Sequence, residues 1–193
     1  MDVLPSNIDM TAAEPELTLA RRGGVRLDSF LQHIEEDPDT DYDYLLVDAL
    51  PNLGNLTDNS LHATQNILIP ALAESTSKRT FELLSDYVDV LEGDYEITVN
   101  EVGVLINRID VRKNRTQEIV DWINEAYDDI PVWDARERAA IQDALDNGSS
   151  VFECRPESDI CEVFLEIAER LDHQFGFPEP TTEPESDSEL LEA

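Results

Sequence analysis

The chain has 193 residues, 44 Asp and Glu against 13 Lys and Arg, a formal net charge of −31 and 41% hydrophobic residues. That length and apolar content support a real core and set the chain apart from disordered acidic polypeptides, and no apolar run approaches the roughly 20 residues of a membrane helix. The opening MDVLPSNIDM has neither a basic segment nor an apolar signal-peptide stretch, so the expected location is cytoplasmic, with no membrane contact.

The charge far exceeds the magnitude of about 2–8 usual for a small soluble domain. In dilute buffer it would repel itself; at about 1 M salt the Debye length falls to about 3 Å and the repulsion is screened. Lys78 and Lys113 are the only lysines. A carboxylate excess with so little lysine points to a halophilic protein working in concentrated salt; the competing reading is an ordinary acidic interaction protein. Cys154 and Cys161 lack metal-ligand spacing and read as small apolar residues.

In chain order, residues 2–5 read as a short strand ending at Pro5. Thr11 to Arg22 reads as a helix stopped by Gly23-Gly24, and Leu27 to Glu36 as a second, with Leu27, Phe30, Leu31 and Ile34 on one face. The acidic stretch EEDPDTD leads into YDYLLVDALP, Tyr42 to Pro51. Its run Leu45, Leu46, Val47 has no polar alternation and predicts a strand buried on both faces, with Asp48 at its C-terminal end. Open α/β sheets bind ligands at such ends, and a carboxylate there can help hold Mg²⁺ beside phosphates; the plainer reading makes Asp48 a turn residue.

Thr57 or Asp58 can cap a short helix before the strand Asn66 to Pro70. Thr76 to Leu91 is the clearest helix, with Phe81, Leu84, Val88 and Leu91 at helical spacing, widened by Leu83, Tyr87 and Val90, and Gly93 as its stop. Val102 to Ile109 predicts a third buried strand. Asn114 to Tyr127 predicts a helix burying Ile119, Val120, Trp122, Ile123 and Ala126. Ile130 to Trp133 reads as a strand, Arg136 to Leu145 as a helix, Val151-Phe152 as an edge strand, and Glu157 to Phe175 as a closing helix carrying Val163, Phe164, Ile167 and Leu171. Residues 176–193 end in an acidic tail expected to be disordered. Strands alternating with helices predict an α/β fold, a doubly wound, mostly parallel sheet with helices on both faces, over residues 1–175.

The series of segments resembles the C-terminal two-thirds of ParA-type partition ATPases, deviant-Walker P-loop proteins of the MinD/ParA superfamily that segregate chromosomes and plasmids. LPSNID resembles the family's strand before its first shared helix, DYDYLLVDALPNLGNLTDNSL its Walker B segment, and ILIPALAES the next strand and a switch-like loop that includes Glu74. GVLINRID resembles the strand leading to the base-recognition loop, and PVWDARERAAIQDALDNGSSVFE a late segment around an arginine.

The family's KGGxGK P-loop, whose amides and lysine cradle phosphates, has no counterpart: no Gly-Lys dipeptide occurs, and Gly23-Gly24 follows a helix. The family's next strand, with its catalytic aspartate, is also unmatched. By resemblance these two strands would flank Leu45–Asp48. The chain then reads as a piece of a larger protein or as a shortened, non-catalytic relative.

The resemblance implies a P-loop NTPase-like fold lacking its first strands, and ATP and Mg²⁺ as the family's ligands, with neither bound tightly by this chain alone. It places Asp48 and Pro51 near Mg²⁺ and nucleotide, and Asn107, Arg108 and Arg136 as base-contact candidates. Asn107 read as a strand-end cap and Arg136 as a solvated first-turn helix residue are the alternatives. Arg108, Arg112, Lys113 and Arg115 put four basic residues in eight positions and are candidates for non-specific DNA contact; ion pairing with Asp110 and Glu118 competes with that reading. The expected partners are a second copy or a ParA-type ATPase. A MinD-type membrane role would need a basic amphipathic C-terminal helix, which the acidic C-terminus does not offer.

Overall fold

A computed structural model describes residues 2–6, 10–37, 42–50, 52–109, 114–136 and 139–177. The chain divides into two compact units, residues 1–136 and 137–193. The first holds helix α1 (Met10–Leu19), a 3-10 turn (Gly23–Val25), α2 (Arg26–Glu35), α3 (Asn55–Thr64), strand β1 (Asn66–Leu72), α4 (Ser77–Tyr95), β2 (Asn100–Ile109), α5 (Asn114–Ala126) and β3 (Val132–Arg136). The second holds α6 (Ala139–Asn147), the single turn α7 (Val151–Cys154) and α8 (Asp159–Phe175). The fold is α/β: three parallel strands in the order β1-β2-β3, connected through helices.

β2 is the central strand, and its composition explains why. Val102, Gly103, Val104 and Ile106 are all buried, as an apolar run paired on both edges and covered on both faces must be. Ile69 of β1, Phe81 of α4, Val104, Ile106 and Ile109 of β2, and Ile119, Val120 and Ile123 of α5 form the main core. Leu61 of α3 meets Val88, Leu91 and Val99 in a second cluster, and Ile67 touches both. Phe81 packs edge-on to Trp122 at 5.9 Å, and Lys78 Nζ lies 4.8 Å above the Trp122 ring, a cation–π contact that shields its outer face. Gly103 sits where a β-bulge shifts the β1–β2 register, and a Cβ there would overlap the Trp133 side chain.

Several expectations need correction. Leu45–Val47 is not a buried strand: residues 44–50 carry no regular structure, and Leu46 is 81% exposed. The run has strand composition but no partner strand among the described residues, and unpaired backbone amides stay with water. Residues 2–5 are likewise irregular and exposed. Gly23-Gly24 does more than stop α1. Both glycines are buried in the 3-10 turn, where a Cβ on Gly23 would overlap the Leu17 carbonyl and one on Gly24 the Tyr95 hydroxyl.

α4 runs past Gly93 to Tyr95, because exposed Gly93 weakens a helix without breaking it. Leu83 and Val90 face solvent, so the α4 stripe is narrower than predicted. In α5, Trp122 is half-buried and Ala126 exposed. β3 ends at Arg136, so that residue closes a strand instead of opening a helix.

Val151-Phe152 lies in α7, where Ser150 Oγ accepts the Glu153 N–H at 3.2 Å and the Glu153 carboxylate returns to the Ser150 N–H at 3.0 Å, a reciprocal cap that fixes a helical turn. Within the second unit Arg155 donates to Asp143 of α6 at 3.1 Å, and Ile160, Cys161 and Ile167 are the buried face of α8, with Val163, Phe164 and Leu171 half-buried. Cys154 and Cys161 are free thiols.

The start of β2 gathers carboxylates. Burial raises the Glu101 carboxyl above its ordinary range, and Asp129 and Glu92 add to the shift. A carboxyl raised in the folded state stabilises the fold while protonated and loses that contribution as pH climbs through its folded pKa. Glu101→Gln is therefore expected to raise Tm at pH 7 by about 1–2 °C, small because solvent screens a half-exposed group. In thermal melts the gain should vanish near pH 4, where wild-type Glu101 is protonated.

Candidate functional site

The parallel strands deliver their C-terminal ends to one side, the position where open α/β sheets hold ligands. Leu72 at the end of β1 lies opposite Asn107 of β2, and Ile109 lies opposite Arg136, the last residue of β3. Between them the β2–β3 register shifts, and Arg108 takes the left-handed conformation with φ 55°. Asn107 Oδ1 stabilises this bulge by accepting the Arg108 N–H at 2.8 Å. A non-glycine residue held in that region costs about 1–3 kcal/mol, and such bulges re-aim side chains beside functional sites. Asn107 therefore does not end the strand: β2 continues to Ile109, and the Asn107 side chain braces the bulge within it.

Arg108 and Arg136 are exposed. Burial raises the carboxyl of Asp134, two residues before the β3 end, while Arg136 opposes that shift. The β1–α4 connection is tightly folded: the Leu72 carbonyl accepts the Glu74 N–H at 2.8 Å and also the Ser77 hydroxyl. Glu74 itself is exposed.

The other candidates fall elsewhere. Asp48 is exposed on the irregular segment and ends no strand. Pro51, Arg112 and Lys113 lie outside the described residues, and Arg115 is placed only as a backbone position in α5.

Thr57 and Asp58 lie inside α3 and do not cap it, its N-cap being Gly54; instead a polar hub at the start of α3 fastens the N-terminal helices to the rest of the unit. Buried Asn59 donates to the Gly23 carbonyl at 2.7 Å and the Asn55 carbonyl at 2.6 Å, and its Oδ1 accepts the Leu27 N–H at 3.0 Å. Glu14 of α1 reaches across to accept the Asn55 N–H at 2.6 Å and the Leu56 N–H at 3.2 Å, filling the N-terminus of α3 with a carboxylate. Tyr87 of α4 places its hydroxyl against the Asp58 carboxylate and 3.2 Å from the Gly54 carbonyl; burial first and Asp58 second push its pKa far up. Asn59 and Asp58 stand in LTDNSL, the segment whose family resemblance is already noted, and no local sequence signal marks their distant partners.

Among the described residues no group of three His, Cys, Asp or Glu side chains could hold a metal ion, and no helix is long and apolar enough to cross a membrane. A Mg²⁺–nucleotide needs a carboxylate near aligned phosphate donors. Asp48 stands exposed on chain without regular structure.

Asn59→Ala strips two donors and an acceptor from one buried and two half-buried partners and is expected to cost about 2–3 kcal/mol, measured by KCl-buffered chemical denaturation. Limited proteolysis should then cut first around Gly23–Leu27.

A family model described as an AAA domain matches residues 1–101. An uncharacterized protein of Mycobacterium tuberculosis is 36% identical over 138 residues, 67% of this chain and 40% of that protein. The sporulation initiation inhibitor protein Soj of Bacillus subtilis is 26% identical over 172 residues, 89% of this chain and 66% of Soj. The chain therefore spans less than two-thirds of each relative's length. Among solved structures, the ATP complex of a Cyanothece McdA variant superposes with a TM-score of 0.77 at 21% identity, covering 91% of this chain and 66% of that one, a likeness of fold. With just over half its length matched by the family model, the chain belongs to this AAA-domain family, in its ParA-type branch.

Proposed function

We propose that this is a partition or segregation protein of the ParA type whose residues supply the base-facing end of a nucleotide site and leave the phosphate-gripping end incomplete. The observation that carries the reading is the contrast between two places in one unit. At the strand ends Asn107 and Arg108 lie in the β2 bulge and Arg136 lies opposite Ile109, while Asp48 sits exposed on a segment with no sheet partner among the described residues. An amide side chain offers a donor and an acceptor in one plane, which suits a base edge. Phosphoryl transfer depends on positioning and charge stabilisation, and one carboxylate on unpaired chain supplies neither.

ATP turnover by the purified chain in molar KCl is expected to stay at the no-enzyme blank. A rate abolished by Asp48→Ala overturns the reading.

A second reading, a non-catalytic module that binds or modulates a ParA-type ATPase, is favoured by the exposed apolar run Leu45–Val47. The basic residues Arg108, Arg112, Lys113 and Arg115 support non-specific DNA contact through phosphates, opposed by the net charge of −31. Filter binding of duplex DNA at graded KCl is expected to weaken as salt rises and to weaken further in Arg112→Glu/Arg115→Glu; indifference to that double change removes the DNA role.

A further inference from the structure

The stretch Leu17 to Leu27, LTLARRGGVRL, holds three arginines and no acid, in a chain where 44 of 193 residues are Asp or Glu. Arg21, Arg22 and Arg26 are exposed, and among the described residues none of them has an ion pair. Elsewhere carboxylates do find arginines: Arg79 meets Glu82 at 2.9 Å and Arg155 meets Asp143 at 3.1 Å.

The three arginines stand on a braced turn. Gly23 and Gly24 are buried, and Asn59 holds the Gly23 carbonyl at 2.7 Å and the Leu27 N–H at 3.0 Å. Arg22 takes the left-handed conformation, φ 60°, where glycine would sit without strain. The backbone beneath the guanidinium groups is thus fixed before anything binds, which lowers the ordering cost of binding. Apolar groups flank the charges. Leu19, at the end of α1, is 88% exposed, and Phe30, one turn beyond Arg26 on α2, is 48% exposed. Asp28, the acid in the first turn of α2, is engaged by Gln32, whose Nε2 donates to it at 3.1 Å.

We propose that Leu19, Arg21, Arg22, Arg26 and Phe30 form a docking surface for a short acidic, amphipathic segment of another protein. The guanidinium groups take its carboxylates, and Leu19 and Phe30 take its apolar side chains. This surface needs nothing from the nucleotide site.

Chemistry and charge select that occupant. Guanidinium groups grip carboxylates and phosphates through paired hydrogen bonds. A phosphodiester backbone would satisfy the arginines and leave Leu19 and Phe30 without partners. An anionic bilayer would accept both kinds of group, but bilayer and duplex alike present a broad negative surface to a chain of net charge −31. A second copy brings the same −31. A short segment meets the patch alone, since exposed charges beyond a Debye length, about 8 Å at physiological salt, are largely screened.

The test uses the full chain and a fluorescein-labelled helical peptide of about 16 residues, with Leu on one face and Glu on the other. One control peptide carries Lys for Glu, the other Ser for Leu. In anisotropy titrations at about 0.15 M KCl the acidic amphipathic peptide is expected to bind saturably, at least about tenfold tighter than either control. Arg21→Gln/Arg26→Gln is expected to weaken it about tenfold and Leu19→Ser about threefold. Arg22→Gly is expected to weaken binding with Tm unchanged or higher, because glycine suits that backbone, so the lost affinity is not lost folding.

No binding of the acidic peptide, equal binding of either control, or full affinity in Arg21→Gln/Arg26→Gln overturns the proposal. Tighter capture of duplex DNA, or of vesicles of equal parts phosphatidylserine and phosphatidylcholine, overturns it when the same double change abolishes that capture. Self-association that the double change abolishes overturns it in favour of a second copy.

Discussion

Backbone pairing governs this molecule. A residue's amide and carbonyl enter the interior only when other groups receive them. β2 has a strand on each edge, and its Val104 and Ile106 are fully buried. β1 is paired on one side and alternates between buried Ile69 and exposed Pro70. Among the described residues Leu45–Val47 has no strand beside it, and it stays in water despite a composition as apolar as that of β2. Composition gives a segment the capacity to be buried, and the number of neighbouring strands decides whether the capacity is used.

The same rule explains how far the sequence could be read. The helices α4, α5 and α8 were legible because their apolar spacing is a local property, and their core positions Phe81, Val88, Leu91, Ile119, Ile123 and Ile167 were named from spacing alone. β1 and β2 were legible because both their composition and their partners lie within the chain. The Tyr42–Pro51 stretch misled because its burial depends on strands that the described residues do not contain. Val151-Phe152 misled differently: two β-favouring residues were outweighed by the Ser150–Glu153 cap that flanks them. Tertiary polar contacts were beyond reach, since nothing local in Asn59 or Glu14 says which distant amide each will meet.

Of the candidate site, position along the chain was legible and geometry was not. Asn107, Arg108 and Arg136 are separate along the chain, and the β2–β3 register sets Arg136 opposite Ile109, one residue past Arg108. The left-handed turn at Arg108 had no sequence signal, because glycine or asparagine would be the usual occupant. The shift of Arg136 from helix start to strand end changes its meaning. A side chain at the end of a parallel strand is held by the sheet, whereas one in a first helical turn would sample solvent more freely.

The carboxylate of Glu14 over the start of α3 ties the first helix of the chain to the loop that follows Asp48. Because α3 also receives Tyr87 from α4, three helices share one joint. The N-terminal helices are thereby anchored at the stem of the exposed Leu45–Val47 stretch and not to the sheet core, so this joint fixes where that stretch leaves the helical layer.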